Sequence, residues 1–167
     1  MKLFIQTRPM GKWDQRFCNL AEFVSKWSKD PNAQVGAVVV SRRGGDITVG
    51  YNGFPAGIVD SDERLQDNDV KLDMIVHAEV NAILAAGLRA QGSTIYVWGK
   101  PVCARCAGAI IQSGVKRVVA FSPGSVDAES KWRQTGETAL EMFNEAKIDV
   151  DFYAPQKRLP APKEPEG

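Results

Sequence analysis

Residues 94–119 read TIYVWGKPVCARCAGAIIQSGVKRVV and predict a strand, a helix and a second strand. The apolar and β-branched runs at 93–98 and 115–121 are typical of strands. The helix between them covers 103–112 and ends at Ser113-Gly114, because glycine commonly follows a helix end. Strands separated by a helix favour parallel pairing, so this unit predicts an α/β fold with a largely parallel sheet.

The flanking sequence extends this pattern in both directions. Apolar residues spaced by three and four predict a helix over 13–27, and the apolar run at 35–40 predicts a strand covered on both faces. Gly44-Gly45 then turns the chain into an antiparallel partner strand at 47–51. The remaining predicted elements are helices over 77–86 and about 127–146 and a last strand over 148–153.

Two segments show neither the apolar spacing of a helix nor that of a strand. Residues 58–72 are polar and acidic, and a connection of this length inside a domain is usually functional or mobile. Residues 154–167 are rich in proline and predict a tail without fixed structure. We therefore expect one domain over 1–153, followed by this tail.

Composition narrows the class of protein. The 167 residues carry a formal net charge of +1, which argues against a long nucleic-acid footprint. No apolar run reaches membrane-spanning length, so no membrane partner is expected, and the first ten residues lack the apolar core of a secretory signal. Three cysteines are an odd number and two have metal spacing, which favours a reducing cytoplasm over a disulfide framework.

Three residues in the predicted helix starts have the chemistry of zinc ligands. His77 is the single histidine of the chain, and Cys103 and Cys106 lie one helical turn apart. One imidazole and two thiolates leave a fourth position open, as in a catalytic zinc site. Glu79 follows the histidine by two residues, close enough to exchange a proton with a zinc-activated water. His-x-Glu followed by Cys-x-x-Cys is the pattern of zinc-dependent nucleobase deaminases.

Simpler interpretations of these residues are a chance His-x-Glu triplet, a redox pair or half of a zinc knuckle. A knuckle needs a second cysteine pair, and a redox pair leaves His77 and Glu79 without a role. Cys18 has no partner at metal spacing and is expected to be a packing thiol. We therefore expect one zinc per chain, with Glu79 as the catalytic acid and base.

Longer blocks resemble the deoxycytidylate (dCMP) deaminase family. They are SKDPNAQVGAVVV (28–40), GYNGFPAG (50–57), VHAEVNAI (76–83) and TIYVWGKPVCARCAGAIIQSGVKRVV (94–119). The resemblance implies a three-layer α/β/α cytidine deaminase-like fold, with a five-stranded mixed sheet and helices on both faces. It also implies hydrolysis of dCMP to dUMP and ammonia, which supplies dUMP for thymidylate synthesis.

The same resemblance implies roles for residues outside the metal site. Asn52 is expected to contact the sugar hydroxyl, and the Ala78 backbone is expected to contact the base. Ser28 and Lys29 are the candidates for binding the 5′-phosphate. The alternative roles are a turn asparagine for Asn52 and helix-end capping or solvation for Ser28 and Lys29. Arg105 is a candidate for phosphate or for a neighbouring subunit, with a solvated surface role as the alternative.

The resemblance further implies a homo-oligomer, a dimer or a hexamer, with dCTP as activator and dTTP as inhibitor. The effectors are expected near the loop that contains Gly50, Tyr51 and Gly53. Two positions depart from the family pattern, namely Trp27, where many relatives carry arginine, and Val102, which separates Pro101 from the first cysteine. Both departures concern the substrate, so dCTP, a nucleoside or a free base is the alternative to dCMP. A non-catalytic nucleotide sensor is a third class of function, against which the intact Glu79 and metal ligands argue.

Overall fold

The computed structural model describes residues 9–153. Its elements are α1 (Lys12–Ser25), β1 (Gly36–Val40), β2 (Ile47–Tyr51), α2 (Asp62–Gln66), α3 (Asn68–Met74), α4 (Ala78–Ala86), β3 (Thr94–Trp98), α5 (Ala104–Gln112), β4 (Arg117–Ala120), α6 (Lys131–Glu145) and β5 (Asp149–Phe152), with 3₁₀ turns at Gly87–Ala90 and Pro123–Ser125. The tail predicted over 154–167 lies outside the described residues. Across 9–153, every helix is too short or too polar to cross a membrane.

The sheet has five strands in the order β2-β1-β3-β4-β5. β1 is antiparallel to both of its neighbours, whereas β3, β4 and β5 are parallel to one another. The hairpin reverses the chain once, and α4 then carries it across to the other side of β1. This confirms the mixed five-stranded sheet implied by the resemblance, and it corrects the largely parallel sheet expected from alternation alone.

Alternate residues of the strands face two separate cores. On β1, Ala37 and Val39 belong to the core that α4, α5 and α6 also line, while Val38 and Val40 belong to the core lined by α1. All five residues of β1 are buried, as the apolar run predicted. Helices therefore cover both faces of the sheet, and the three-layer α/β/α arrangement is confirmed.

Close approach of α4 to the sheet depends on Gly50 in β2. A Cβ atom at this position would collide with the backbone of Ala78 and Ala82. At its other end, α4 stops at Gly87, whose φ of 55° lies in the left-handed region that favours glycine. The sheet and the helix are thus in direct backbone contact beside the start of α4, where His77 lies.

The connection over 58–72 contains more regular structure than its lack of an apolar period indicated. This region contains α2 and α3, two short helices that begin after Ser61 and Asp67. The Ser61 hydroxyl accepts from the Arg64 amide, and the Asp67 carboxylate accepts from the amides of Asp69 and Val70. Helices of five and seven residues are too short to show an apolar period, so capping residues were the available signal. The last helix also begins later than predicted, at Lys131.

Candidate active site

The starts of α4 and α5 bring three potential metal ligands together. His77 precedes the first residue of α4, and Cys103 precedes the first residue of α5. The His77 Nδ1 lies 3.2 Å from the Cys106 Sγ and 3.5 Å from the Cys103 Sγ. All three ligand atoms lie within 4.8 Å of one another, and both thiols are buried. The geometric prediction that one ion can contact all three residues is therefore met.

The donor set and its spacing fit zinc. Zinc prefers tetrahedral nitrogen and sulfur ligands, and its bond lengths imply roughly 3.6 Å between a ligating nitrogen and a ligating sulfur. The two measured nitrogen–sulfur distances, 3.2 and 3.5 Å, are close to this value. Three protein donors leave one tetrahedral position for a water or a substrate atom.

The contact between the two cysteines shifts their pKa values in opposite directions. A hydrogen bond from the Cys106 thiol lowers the pKa of Cys103 to about 4, with a further contribution from His77. The same interaction with Cys103, together with burial, raises the pKa of Cys106. A bound divalent cation would replace the proton of the Cys106 thiol, since a ligating thiol is deprotonated. One thiolate is thus already favoured at the α5 start, where the Cys106 amide donates to the Cys103 Sγ.

Glu79 lies in the first turn of α4 and is 3% exposed. Burial raises the pKa of its carboxyl group, while the nearby His77 acts in the opposite direction. The carboxyl also interacts with the Cys106 thiol, so it lies beside the metal ligands without belonging to them. A buried carboxyl at this position can accept a proton from a water held by the metal and release it again.

A cavity of about 350 Å³ opens beside these residues. His77, Ala78 and Glu79 line it at the metal end, and Trp132 of α6 lies next to the imidazole, with ring centroids 6.2 Å apart. Its volume is in the range of sites for small ligands. Three lysines also line the cavity, namely Lys71, Lys100 and Lys131. The chain therefore surrounds the metal site with an apolar wall and with cationic groups.

Asn52 lines the cavity, and its side chain supports the loop that precedes β1. Its Oδ1 accepts from the Val35 amide at 2.8 Å, and its Nδ2 donates to the Ala33 carbonyl at 2.8 Å. These contacts agree with a structural role in the loop. One N–H of the amide remains for a ligand, and the contact to the sugar hydroxyl stays a prediction. Ala78 is fully buried and lines the cavity at the start of α4, where no side chain caps the helix, so its backbone amide can serve a ligand at the metal end.

Ser28, Lys29 and Arg105 are not among the residues that line the cavity. The Ser28 hydroxyl donates to the Asn52 carbonyl, and Lys29 pairs on the surface with Asp60 at 2.8 Å. Arg105 is exposed at the start of α5. The phosphate role assigned to these residues stays a prediction that their positions do not favour.

The predicted effector loop lies at the C-terminal end of β2. The Tyr51 ring is 41% exposed and makes an edge contact with Trp27, which in turn meets Phe23. Gly53 pairs with Val76 in an isolated β-bridge. Trp27, which stands where many relatives carry arginine, therefore belongs to an exposed aromatic surface and is absent from the cavity lining.

Lys71, Lys100, Lys131 and Trp132 were missed as site residues. Lys71 lies in the polar connection for which no helix was predicted, and Lys131 and Trp132 lie at a helix start that was placed too early. Lys100 follows Gly99, whose φ of 110° turns the chain at the end of β3. Of these, Trp132 had a visible signal, because it heads the apolar stripe of α6.

The fold and the ligand set define a zinc-binding deaminase domain. The model of the cytidine and deoxycytidylate deaminase zinc-binding region matches residues 11–122, and the chain belongs to this family. The cofactor of the domain is therefore zinc, in agreement with the imidazole and the two thiols that lie together.

Known proteins resemble the chain over most of its length. An uncharacterized deaminase from the luxG 3′ region of Aliivibrio fischeri is 38% identical over 144 residues, which are 86% of this chain and 95% of that protein. Human deoxycytidylate deaminase is 33% identical over 151 residues, which are 87% of this chain and 82% of the human protein. The cyanophage S-TIM5 dCMP deaminase, solved with dCMP and dUMP, shares the fold with a TM-score of 0.64 at 21% identity, over 87% of this chain and all of the phage chain.

Proposed function

We propose that the protein hydrolyses dCMP to dUMP and ammonia and so supplies dUMP for thymidylate synthesis. The observation that carries this proposal is the buried Glu79 carboxyl beside the His77, Cys103 and Cys106 side chains, in one cavity. The name of the human relative, deoxycytidylate deaminase, which is similar over 87% of this chain, supports the choice of dCMP.

His77, Cys103 and Cys106 are the proposed zinc ligands. When bound, zinc lowers the pKa of a coordinated water to near neutrality. Glu79 accepts the proton from the water that attacks C4 of the cytosine and passes it to N3. The carboxylate then takes the second proton from the hydroxyl on C4 as the C4=O bond forms. It delivers this proton to the amino group, which leaves as ammonia when the C4–N bond breaks. A carboxyl group suits both steps because it acts first as a base and then as an acid.

Other cavity residues are proposed to hold the substrate. The Ala78 backbone amide donates to the polar edge of the base, and the remaining N–H of Asn52 reaches a sugar hydroxyl. Trp132 provides an apolar surface next to the imidazole, on which a flat pyrimidine can pack. These contacts fix the C4 atom near Glu79 and exclude solvent from the reaction.

We also propose a homo-oligomer, a dimer or a hexamer. Phe23, Trp27 and Tyr51 form a continuous aromatic surface in which each ring is between 41% and 58% exposed. Contiguous exposed aromatic surface is typical of interaction sites. dCTP and dTTP are the proposed effectors, at the adjoining loop that contains Gly50, Tyr51 and Gly53, and Arg105 is a candidate contact to a neighbouring subunit.

A cytosine nucleoside triphosphate is the second candidate substrate, because the three cavity lysines would also suit a longer phosphate chain. A non-catalytic nucleotide sensor is less favoured, since it has no need of the buried Glu79 carboxyl. We place the protein in the cytoplasm because all three cysteines are unpaired, as expected in a reducing compartment.

Ammonia release tests these alternatives directly. The zinc-loaded protein is assayed with dCMP, dCTP, CMP, deoxycytidine, cytosine and a tRNA, each with and without dCTP as an added effector. Rapid turnover of dCMP alone is the expected result. Turnover of dCTP instead would move the function to the second candidate, and a zinc-loaded protein that is inactive on the whole panel would contradict the proposed function.

A further inference from the structure

Lys71 is a buried cation in the wall of the cavity. It lies in α3, is 4% exposed, and pairs with Asp30 through an Nζ–Oδ1 distance of 3.1 Å. Lysine is almost never buried to this extent unless it is paired. Lys100, half-buried, and Lys131, exposed, line the same cavity from other elements.

Asp30 alone does not account for the position of Lys71. The same Asp30 Oδ1 also accepts from the backbone amides of Asn32 and Ala33, at 2.9 and 3.2 Å. This carboxylate therefore already has neutral donors, which close the loop before β1 without any lysine. The Lys71 ammonium has three N–H donors, and Asp30 is the partner found for it within residues 9–153. Donors remain for a group that enters the cavity.

An anion is the ligand that completes this arrangement. The cavity also contains acidic groups, but Glu79 lies at the metal end, Asp30 is bound to three donors, and Asp69 is exposed in the first turn of α3. Desolvated lysines form charge-assisted hydrogen bonds to phosphate oxygens, and these are stronger than bonds between neutral groups. The exposed Lys29, held by Asp60, has no such access.

We propose that Lys71, supported by Lys100 and Lys131, binds the 5′-phosphate of the substrate and makes the enzyme select a nucleotide over a nucleoside. Asp30 is a positioning residue that holds the Lys71 ammonium against the cavity. This inference rests on the proposed function, because it assigns one part of the substrate in that site. It replaces Ser28 and Lys29 as the phosphate ligands expected from the sequence.

The test compares two ligands that differ by one phosphate. Calorimetry on the zinc-loaded protein measures the affinity for dUMP and for 2′-deoxyuridine in wild type and in Lys71→Met, Lys71→Arg, Lys29→Met and the surface control Lys116→Met. We expect Lys71→Met to weaken dUMP binding by about 10- to 100-fold, the size of one charge-assisted hydrogen bond, and to leave 2′-deoxyuridine within about twofold. Lys71→Arg should retain part of the preference, and Lys116→Met all of it.

Loss of the Lys71 charge leaves Asp30 buried without its cation, which can unfold the protein. The double variant Asp30→Asn/Lys71→Met removes both charges and keeps an oxygen acceptor for the two backbone amides, so it supplies the measurement in that case. The proposal would be overturned if Lys71→Met lost equal affinity for dUMP and for 2′-deoxyuridine. It would also be overturned if Lys29→Met, and not Lys71→Met, lost the preference for dUMP. A Lys71-dependent preference for dUMP in a protein that releases no ammonia from dCMP would sustain the phosphate subsite and refute the proposed function.

Discussion

The Nδ1 atom of His77 lies 3.2 Å from the Sγ atom of Cys106, across the contact between the starts of α4 and α5. No other described residue separates these two atoms, and each is fixed by the first turn of its own helix. The site is therefore assembled by helix packing, and its assembly and its metal are linked.

Removal of the metal is expected to lower both activity and stability. Chelation should abolish ammonia release and lower the Tm, because two buried thiolates and the half-buried imidazole lose the ion that joins them. Added zinc should restore both. Cys106→Ser should have the same low Tm without chelator, and metal analysis should find less than one zinc per chain. Cys18→Ser is the control, because this buried thiol lies outside the metal-ligand group, and it should keep its zinc. Full zinc content in Cys106→Ser would contradict the assignment of this ligand.

Glu79→Gln is expected to retain zinc and to lose turnover. The amide has nearly the same shape but cannot exchange a proton, and general acid–base catalysis contributes roughly 100- to 10,000-fold. The kcat for ammonia release should fall by about that factor, with little change in KM. Glu141→Gln, at an exposed position of α6, is the matched control. Near-native activity with full zinc content in Glu79→Gln would remove this residue from the mechanism.

Gly50→Ala is expected to separate α4 from the sheet. The added methyl group meets the backbone of Ala78 and Ala82, which cannot move aside as a flexible side chain can. Overpacking of this kind costs about 1–3 kcal/mol or more, which chemical denaturation will measure. Gly45→Ala is the control, because a methyl group added there would meet no atom within 4 Å. Equal stability of the two variants would show that α4 is not held at this distance.

Asp14→Asn is expected to lower the free energy of unfolding and to make that free energy less dependent on pH in the acidic range. Arg117 donates to both carboxylate oxygens of Asp14, and the Tyr96 hydroxyl donates to Oδ1. These bonds, led by the one from Arg117, lower the pKa of Asp14. Since the folded pKa is below the unfolded value of about 4, the stabilisation is present above pH 4 and is lost as the pH falls through the folded value.

The measurement is the free energy of unfolding of wild type and Asp14→Asn between pH 2 and 7. The difference should be about 1–3 kcal/mol near neutral pH and should shrink below pH 4. Asp46→Asn, at an exposed turn, is the control. A difference that stays constant down to pH 2 would show that the ionised carboxylate is not the stabilising form.

The metal site was predictable from the sequence because local rules determine its parts. Cys103 and Cys106 are three residues apart, and both ligand segments coincide with the starts of helices that the sequence predicts. The Lys71–Asp30 pair was not predictable in this way, because its partners are 41 residues apart and neither has a distinctive neighbourhood. Lys29 shows the same limit, since its sequence context suggested an anion site while its ammonium pairs with Asp60 from a separate loop.

Because His77 and Cys103 are far apart along the chain, a zinc ion bound to both also crosslinks the chain. The two residues are 26 positions apart, so an ion that binds both closes a loop through α4, β3 and the turn before α5. Like a covalent crosslink, this closure restricts the unfolded chain if the metal stays bound to both residues. The entropy cost of closing a loop grows slowly with loop length. Unlike a disulfide, it can be withdrawn by competition for the metal. We expect the amount of folded protein in a cell to follow the zinc supply, with the enzyme level rising and falling without any change in its synthesis.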